Sequence, residues 1–238
     1  MDAETLALSR SLVVELAGSI GLRDSSLANR IIWPLFRPVT DRLARVGLTF
    51  DHNVGRFGFS KAMGLTLEDF ATTVTARGAE DFPPTGPLLV VSNHPGTYDS
   101  LIVSSQLQRD DLRFISGDIP FLRSLPHAHE HFFCISEDPY GRMVATRKAI
   151  RHLNEGGAVL IYGFGYIEPD PAVYADAFST FDHWSPSIDL FLKAVPKARI
   201  LLSIVSHVVS PEWRNSLLER LRPDPIDRRR LVEFGQVI

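Results

Sequence analysis

From residue 84 onward, short runs of apolar residues alternate with segments whose apolar residues recur at helical spacing. The runs lack a polar residue at every second position, which is typical of strands that are buried on both faces. Strands of this kind that alternate with helices predict an α/β fold, with a mostly parallel central sheet flanked by helices. The predicted strands span residues 88–92, 113–116, 131–135, 158–162 and 200–209, and the helices between them span 98–108, 141–153 and 188–194.

Residues 1–82 lack such strands and predict an N-terminal helical extension. Apolar residues between positions 30 and 50 recur near 3.6-residue spacing, with Pro34 and Pro38 suited to a helix start or a kink. This stripe, which includes Trp33 and four arginines, either packs on the sheet or lies in a lipid interface. A further helix is predicted over residues 66–77, with Thr66 as its cap. Prolines and glycines at 83–87 predict the domain boundary, giving domains 1–82 and 83–238.

The composition excludes several classes of protein. The 238 residues are 45% hydrophobic and carry a net charge of −3, so no basic field indicates a nucleic-acid partner. The single cysteine, Cys134, excludes an internal disulfide framework, and its apolar neighbours predict a small hydrophobe. No stretch approaches the length that a membrane-spanning helix needs, so we expect a cytoplasmic protein. Peripheral association with the inner membrane surface is an alternative that the sequence leaves open. The tail 224–238 either forms a solvated helix or contacts a partner.

The loop after the first predicted strand holds a histidine and an aspartate at a chemically suggestive spacing. It reads NHPGTYD over residues 93–99, so His94 closes the strand and Asp99 falls in the first turn of the next helix. In open α/β sheets, ligands bind beyond the carboxyl ends of the strands. A carboxylate bound to one imidazole nitrogen fixes the tautomer and makes the other nitrogen a better base. The spacing alone also fits a turn histidine followed by a helix that Thr97 caps.

This stretch resembles the N-H-x4-D motif of the glycerolipid acyltransferases, the family of the bacterial 1-acyl-glycerol-3-phosphate acyltransferases. The resemblance covers about residues 86–209, including the strand before the motif and the helix after it. It implies direct transfer of a fatty acyl group from acyl-CoA or acyl-carrier protein to a hydroxyl acceptor. His94 would be the general base and Asp99 the residue that orients it. Asn93, Gly96 and Thr97 are substrate-binding candidates. The amides near residues 96–97, or those in the loop 163–165, could stabilise an oxyanion.

The loop after residue 162 departs from the family pattern F-P-E-G-T-R. Phe164 stands where the family has glutamate and Ile167 where it has arginine, whereas Gly165 matches the family glycine. Gly163, Phe164 and Gly165 are the substrate-binding candidates of this loop. Glu168 is either a displaced carboxylate that contacts the substrate or a solvated loop residue.

The arginine that the family places before the central helix is also displaced. Here Ile135 and Ser136 lead to Glu137, and the first arginine is Arg142. Because a guanidinium group suits phosphate geometry, Arg142 is a further substrate-binding candidate. A surface arginine on an amphipathic helix is the alternative.

Three histidines, at positions 127, 129 and 131, resemble a metal-binding run. On a strand they would share one face, as a zinc site can require. Their spacing misses the H-x-H-x-D-H pattern of metallohydrolases by one position, so we predict no metal. No glycine-rich nucleotide loop occurs, so we predict no cofactor beyond the acyl donor as co-substrate. His207, in the last predicted strand, is expected to have no chemical role.

Three functions remain open on the sequence. The first is an O-acyltransferase that acts on a glycerolipid-like or small hydroxyl acceptor by His-Asp general-base catalysis. The second is a lipid-binding member of the same fold whose acceptor site has drifted, which Phe164 and Ile167 favour. The third is a hydrolase, in which water replaces the acceptor at His94 or a metal binds the histidine run.

Overall fold

A computed structural model describes residues 2–19, 33–96, 98–136 and 138–213. Thr97, Glu137 and the tail 224–238, on which parts of the sequence argument rest, lie outside the described residues. The elements, in chain order, are α1 Ala3–Ser19, α2 Trp33–Phe57, α3 Phe59–Leu67, β1 Leu88–Ser92, α4 Tyr98–Leu107, β2 Leu112–Gly117, α5 Pro120–Arg123, α6 Pro126–His129, β3 Phe132–Ile135, α7 Pro139–Asn154, β4 Ala158–Tyr162, α8 Ser187–Ala194 and β5 Arg199–Ser203. Short 3-10 helices span Ala79–Asp81, Ala177–His183 and Pro211–Trp213.

The five strands form one parallel sheet in the order β3-β2-β4-β1-β5. β1 lies between β4 and β5, and its last residue, Ser92, is level with Tyr162 and Ser203. The loops that follow β4, β1 and β5 therefore leave the sheet side by side, at the edge that we call the carboxyl edge. The fold class predicted from the sequence is confirmed.

The sheet is held by apolar residues that point to both of its faces. All five residues of β1 are buried, as are the first four of β4. Alternate residues of the two strands, Leu89, Val91, Val159 and Ile161, pack on one side against α7 and α8. Burial on both faces explains why these strands show no polar alternation in the sequence.

Helix α7 begins where local chemistry favours a helix start. The Asp138 side chain accepts a hydrogen bond from the Gly141 amide at 2.8 Å, and Pro139 occupies the first turn. An aspartate cap followed by proline is a common helix start, because both satisfy or remove amides that lack helical partners. Ala145, Ala149 and Leu153 form the buried stripe of this helix.

The chain divides into two compact units, one assigned Met1–Thr49 with Val209–Ile238 and the other Phe50–Val208. In the first unit, α1 and the start of α2 are joined by a hydrogen bond of 2.8 Å between the hydroxyls of Ser9 and Thr40. On α2, Thr40, Asp41 and Ala44 are buried, whereas Val39 and Leu43 of the predicted apolar stripe are half-buried. The predicted domain boundary after residue 82 stays a prediction. No described helix has the length and apolar character that crossing a membrane requires.

Two predictions of element bounds were wrong. Instead of a helix over 66–77, α3 ends at Leu67, and the amides of Glu68 and Asp69 bond to the Thr66 carbonyl at the C-terminal end of the helix. The buried positions Phe59, Ala62, Met63, Thr66 and Leu67 place the apolar stripe earlier in the chain. The last strand ends at Ser203 rather than at residue 209, because polar side chains from other loops bind the backbone that follows.

Candidate active site

His94 and Asp99 lie in hydrogen-bond contact at the carboxyl edge. His94 is the second residue after β1, and Asp99 is the second residue of α4. The His94 Nδ1 atom is 2.8 Å from Asp99 Oδ2. The His94 side chain is 23% exposed, whereas that of Asp99 is fully buried. A buried carboxylate that holds Nδ1 leaves Nε2 as the imidazole nitrogen for proton transfer.

Further hydrogen-bond donors hold the Asp99 carboxylate in place. The Tyr162 hydroxyl donates to Oδ1 at 2.6 Å, and the Gly96 amide donates to Oδ2 at 3.2 Å. The Tyr162 ring also stacks on the His94 imidazole, with centroids 3.9 Å apart and planes 16° apart. Tyr162 therefore contacts both members of the pair, and it fixes the plane of the imidazole as well as the carboxylate.

Glu168 holds the backbone of His94 and is not a solvated loop residue. It is 1% exposed, and its Oε2 accepts a hydrogen bond from the His94 amide at 2.9 Å. In return, the Glu168 amide donates to the His94 carbonyl at 2.7 Å. The other oxygen, Oε1, accepts from the Thr180 hydroxyl at 2.8 Å and from the Trp184 indole at 2.9 Å. The alternative of a solvated Glu168 is wrong, because three donors within the protein compensate the burial of its carboxylate.

Asn93 and Asp170 bind the chain that follows β5. The Asn93 side chain donates to the Val205 carbonyl at 2.8 Å and accepts from the Val205 amide at 2.7 Å. The fully buried Asp170 carboxylate accepts from the amides of His207 and Val208, at 3.0 and 2.7 Å. Both side chains therefore hold loops together at the carboxyl edge.

The glycine-rich loop after β4 begins beside β1 and returns to His94. The Gly163 amide donates to the Ser92 carbonyl at 2.9 Å, and an added Cβ at Gly163 would lie 2.1 Å from the Trp184 ring. Gly165 has a φ of +77°, and its amide donates to the Tyr162 carbonyl at 3.1 Å. Glycine is required at position 163 by close packing and at position 165 by backbone conformation.

Three predicted site residues remain: Arg142, Thr97 and Phe164. Arg142 is exposed in the early part of α7, and its amide donates to the Asp138 carbonyl at 3.2 Å. Thr97 lies outside the described residues. Phe164 is half-buried, with its ring 6.1 Å from the ring of Tyr166.

The histidine run forms no strand. His127 and His129 are on helix α6, and His131 precedes β3. The His131 ring stacks on Phe59 at 3.9 Å, and burial lowers the pKa of this histidine. Among the residues that the structure describes, no three His, Cys, Asp or Glu side chains are grouped to hold a metal ion. Burial raises the pKa of Cys134, which keeps its thiol protonated.

Comparison with known proteins assigns this region to a family. Residues 73–168, which contain β1, His94, Asp99 and the β4 loop through Glu168, match the family model described as Acyltransferase. The match supports assignment of this region to the glycerolipid acyltransferase family. The match covers less than half of the chain. No curated protein matches the chain, and no solved structure matches it.

Three residues that contact Asp99 or Glu168 were not predicted as site residues from the sequence. Tyr162 ends a predicted strand, and ligands bind at the carboxyl ends of strands, so its position could have identified it. Thr180 and Trp184 gave no signal, because they reach Glu168 from 12 and 16 residues further along the chain. Trp184 also lies outside the stretch that matches the family.

Proposed function

We propose that the acyltransferase domain moves a fatty acyl group from acyl-CoA or acyl-carrier protein to a hydroxyl acceptor by general-base catalysis at His94. The family match supports acyl transfer, with an acyl donor and a hydroxyl acceptor. The observation that carries the His-Asp mechanism is the 2.8 Å contact between His94 Nδ1 and a buried Asp99 held by two further donors.

In the proposed reaction, the acceptor oxygen attacks the carbonyl carbon of the thioester as His94 Nε2 takes the hydroxyl proton. The new C–O bond forms, and the tetrahedral intermediate then expels the thiolate by breaking the C–S bond. The imidazolium returns its proton to the thiolate, so the products are an ester and a free thiol. Asp99 stabilises the imidazolium between the two proton transfers, as the aspartate of a hydrolase triad does.

The oxyanion of the intermediate needs hydrogen-bond donors. Of the predicted amides, those of Gly96, Gly163 and Gly165 already donate to Asp99 Oδ2, the Ser92 carbonyl and the Tyr162 carbonyl. Among the described residues, the amide of Phe164 is the predicted group that remains; Thr97, the other candidate, lies outside them.

Glu168 has a positioning role in this proposal, because its carboxylate is buried and bonded to the His94 amide. Asn93 likewise positions the loop after β5. Arg142, which is exposed on α7, stays a substrate-binding candidate.

The test is to incubate the purified full chain with a long-chain acyl-CoA and a panel of hydroxyl acceptors, while measuring thiol release and acyl product. We expect thiol release that depends on the acceptor. His94→Ala should lower kcat by about a hundredfold or more, the usual contribution of a general base. Asp99→Asn should lower kcat by a similar factor, because the amide cannot stabilise the imidazolium.

His52→Ala is the matched control, since His52 is exposed on α2 and has no role in the proposal. It should leave kcat within a factor of about two, as is usual for an exposed position. Thiol release that needs no acceptor and is lost in His94→Ala would replace acyl transfer by thioester hydrolysis. Lipid binding without turnover, unchanged in His94→Ala, would instead favour a drifted binding protein.

A further inference from the structure

Residues 164–167 form a short arch beside His94. The arch begins after Gly163, whose amide bonds to the Ser92 carbonyl, and ends before Glu168, which exchanges two hydrogen bonds with the His94 backbone. The residues at both ends of the arch are therefore hydrogen-bonded to the backbone of Ser92 and His94. The Tyr162 ring, just before the arch, stacks on the imidazole. The arch therefore starts and ends close to residues that contact His94.

The arch contains no charged residue. Its side chains are those of Phe164, Tyr166 and Ile167, with Gly165 between them. Tyr166 is 55% exposed, and its ring meets the Phe164 ring edge to face at 6.1 Å. These groups offer apolar contacts and one phenolic hydroxyl, but no cation that could bind a phosphate.

The surrounding loops add negative charge and no lysine or arginine. The sequence has neither residue in the loops that leave the carboxyl ends of the strands, at 93–97, 118–119, 136–138, 163–186 and 204–208. Among the described residues, the same loops contain Asp118, Asp138, Glu168, Asp170, Asp176 and Asp182. On the helices that follow two of these loops, Arg123 is paired with Asp118, and Arg142 is on α7. A phosphate dianion at this edge would meet like charge, with no lysine or arginine supplied by the loops.

This charge pattern constrains the acceptor more than the donor. In a phosphorylated glycerol acceptor, the phosphate is only a few bonds from the hydroxyl that must reach His94. In acyl-CoA and acyl-carrier protein, the pantetheine arm separates the phosphates from the thioester, so they lie far from the imidazole.

We infer that the acceptor is an uncharged alcohol with an apolar body, which packs against Phe164, Tyr166 and Ile167, and is not a phosphate ester. The inference rests on the proposed acyl transfer at His94. It names the acceptor class that this site takes.

The test compares two acceptors that differ by one group: a monoacylglycerol and the same molecule with a phosphate on one hydroxyl. Both are presented in the same neutral detergent micelles with one acyl-CoA. For the wild-type chain, we expect a kcat/KM at least about a hundredfold higher for the uncharged acceptor, since like charges across an interface are strongly unfavourable. Ile167→Arg should reduce this ratio at least about tenfold, because it places a phosphate-binding cation in the arch.

Asn154→Arg is the matched control. It adds the same charge at the exposed end of α7, which precedes the amino end of β4 at the opposite edge of the sheet. It should leave the ratio unchanged. If Ile167→Arg does not fold, judged by thermal unfolding, Phe164→Lys supplies the cation at the other end of the arch.

The outcomes separate the acceptor class from the reaction. Equal or better use of the phosphate ester by the wild-type chain would overturn the inference and leave acyl transfer standing. No ester product with either acceptor or with the wider panel would remove the proposed function, and the inference with it. A ratio that Ile167→Arg and Phe164→Lys leave unchanged would overturn the assignment of the arch as the acceptor wall.

Discussion

At the scale of single residues, the site depends on how one buried carboxylate is satisfied. Asp99 accepts hydrogen bonds from the Tyr162 hydroxyl and the Gly96 amide, and its Oδ2 contacts His94 Nδ1. A buried carboxylate without such donors would be strongly destabilising. The Tyr162 hydroxyl and the His94 imidazole therefore both stabilise the negative charge of Asp99.

Tyr162→Phe removes this hydroxyl and keeps the ring that stacks on His94. We expect kcat to fall about tenfold, the effect of losing one hydrogen bond to a charged group in the transition state. Because the ring and its stacking on His94 are kept, the loss should appear in kcat with little change in KM, measured by steady-state kinetics. An unchanged kcat, or a loss of kcat that only follows a loss of thermal stability, would mean that the hydroxyl has only a structural role.

At the scale of elements, two glycines in the loop after β4 affect how His94 is positioned. An alanine Cβ at Gly163 would overlap the Trp184 ring, whose indole donates to Glu168. At Gly165 nothing lies within 4 Å of an added Cβ, although φ is +77°. Substitutions at the two positions therefore test different requirements: close packing at Gly163 and backbone conformation at Gly165.

We expect Gly163→Ala to lower both thermal stability and kcat, because Trp184 must move and its bond to Glu168 is then lost. Gly165→Ala should cost about 1–2 kcal/mol of stability from the left-handed backbone alone, with a smaller loss of kcat. Thermal unfolding and steady-state kinetics on both variants check this. Equal effects of the two substitutions on kcat would contradict a positioning role for Trp184 and Glu168.

The contact between α3 and the start of β3 carries a pH dependence. His131 stacks on Phe59, and its Nδ1 is 3.0 Å from the Leu112 carbonyl. Burial has the largest effect and lowers the pKa of His131, whereas the hydrogen bond to the Leu112 carbonyl raises it. The nearby Arg113 lowers this pKa, and Asp110 and Glu130 raise it by smaller amounts. At low pH the unfolded chain therefore binds a proton that the folded chain resists.

Stability from this histidine is fully present above its usual pKa of about 6.5 and is lost as the pH falls through the lower folded value. His131→Asn keeps a donor for the Leu112 carbonyl but cannot titrate. We expect the free energy of unfolding to fall less steeply between pH 7 and pH 5 in the variant than in the wild-type chain, measured by urea denaturation. Parallel curves would show that unfolding does not change the pKa of His131.

At the scale of the whole molecule, α2 and α3 form hydrogen bonds with residues that follow β1 in the chain. The Asp51 carboxylate accepts from the Ala128 amide at 2.8 Å, and the Ser60 amide donates to Asp110 at 2.9 Å. Both contacts lie within the compact unit Phe50–Val208 and cross the domain boundary predicted after residue 82.

Limited proteolysis tests whether that boundary separates independent domains. Arg77 is exposed and lies outside the helices and strands, so we expect trypsin to cleave after it early. The two fragments should remain together in gel filtration, because Phe59 and His131 lie on opposite sides of the cut. Fragments that separate under native conditions would support the boundary after residue 82.

Much of the α/β fold could be predicted from the sequence. The strands at 88–92 and 158–162 agree with β1 and β4, because central strands buried on both faces must be apolar throughout. The edge strand β5 was predicted too long, since its end depends on Asn93 and Asp170, which reach it from distant loops. Helix α3 was misplaced because Phe59 packs against Phe114, His131 and Phe132, which are far away in the chain.

By itself, the sequence determined the parallel sheet and the pairing of His94 with Asp99, because both follow from short-range patterns: apolar runs and a five-residue turn into a helix. Only the tertiary structure decided that the Tyr162 hydroxyl binds Asp99, that the buried Glu168 carboxylate binds the His94 amide, and that both ends of an uncharged arch are fixed near His94. The contacts of Tyr162 with Asp99 and of Glu168 with His94 span 63 and 74 residues of chain. Nothing in the local pattern around either partner encodes such a contact, since it exists only once parallel strands place their carboxyl ends side by side.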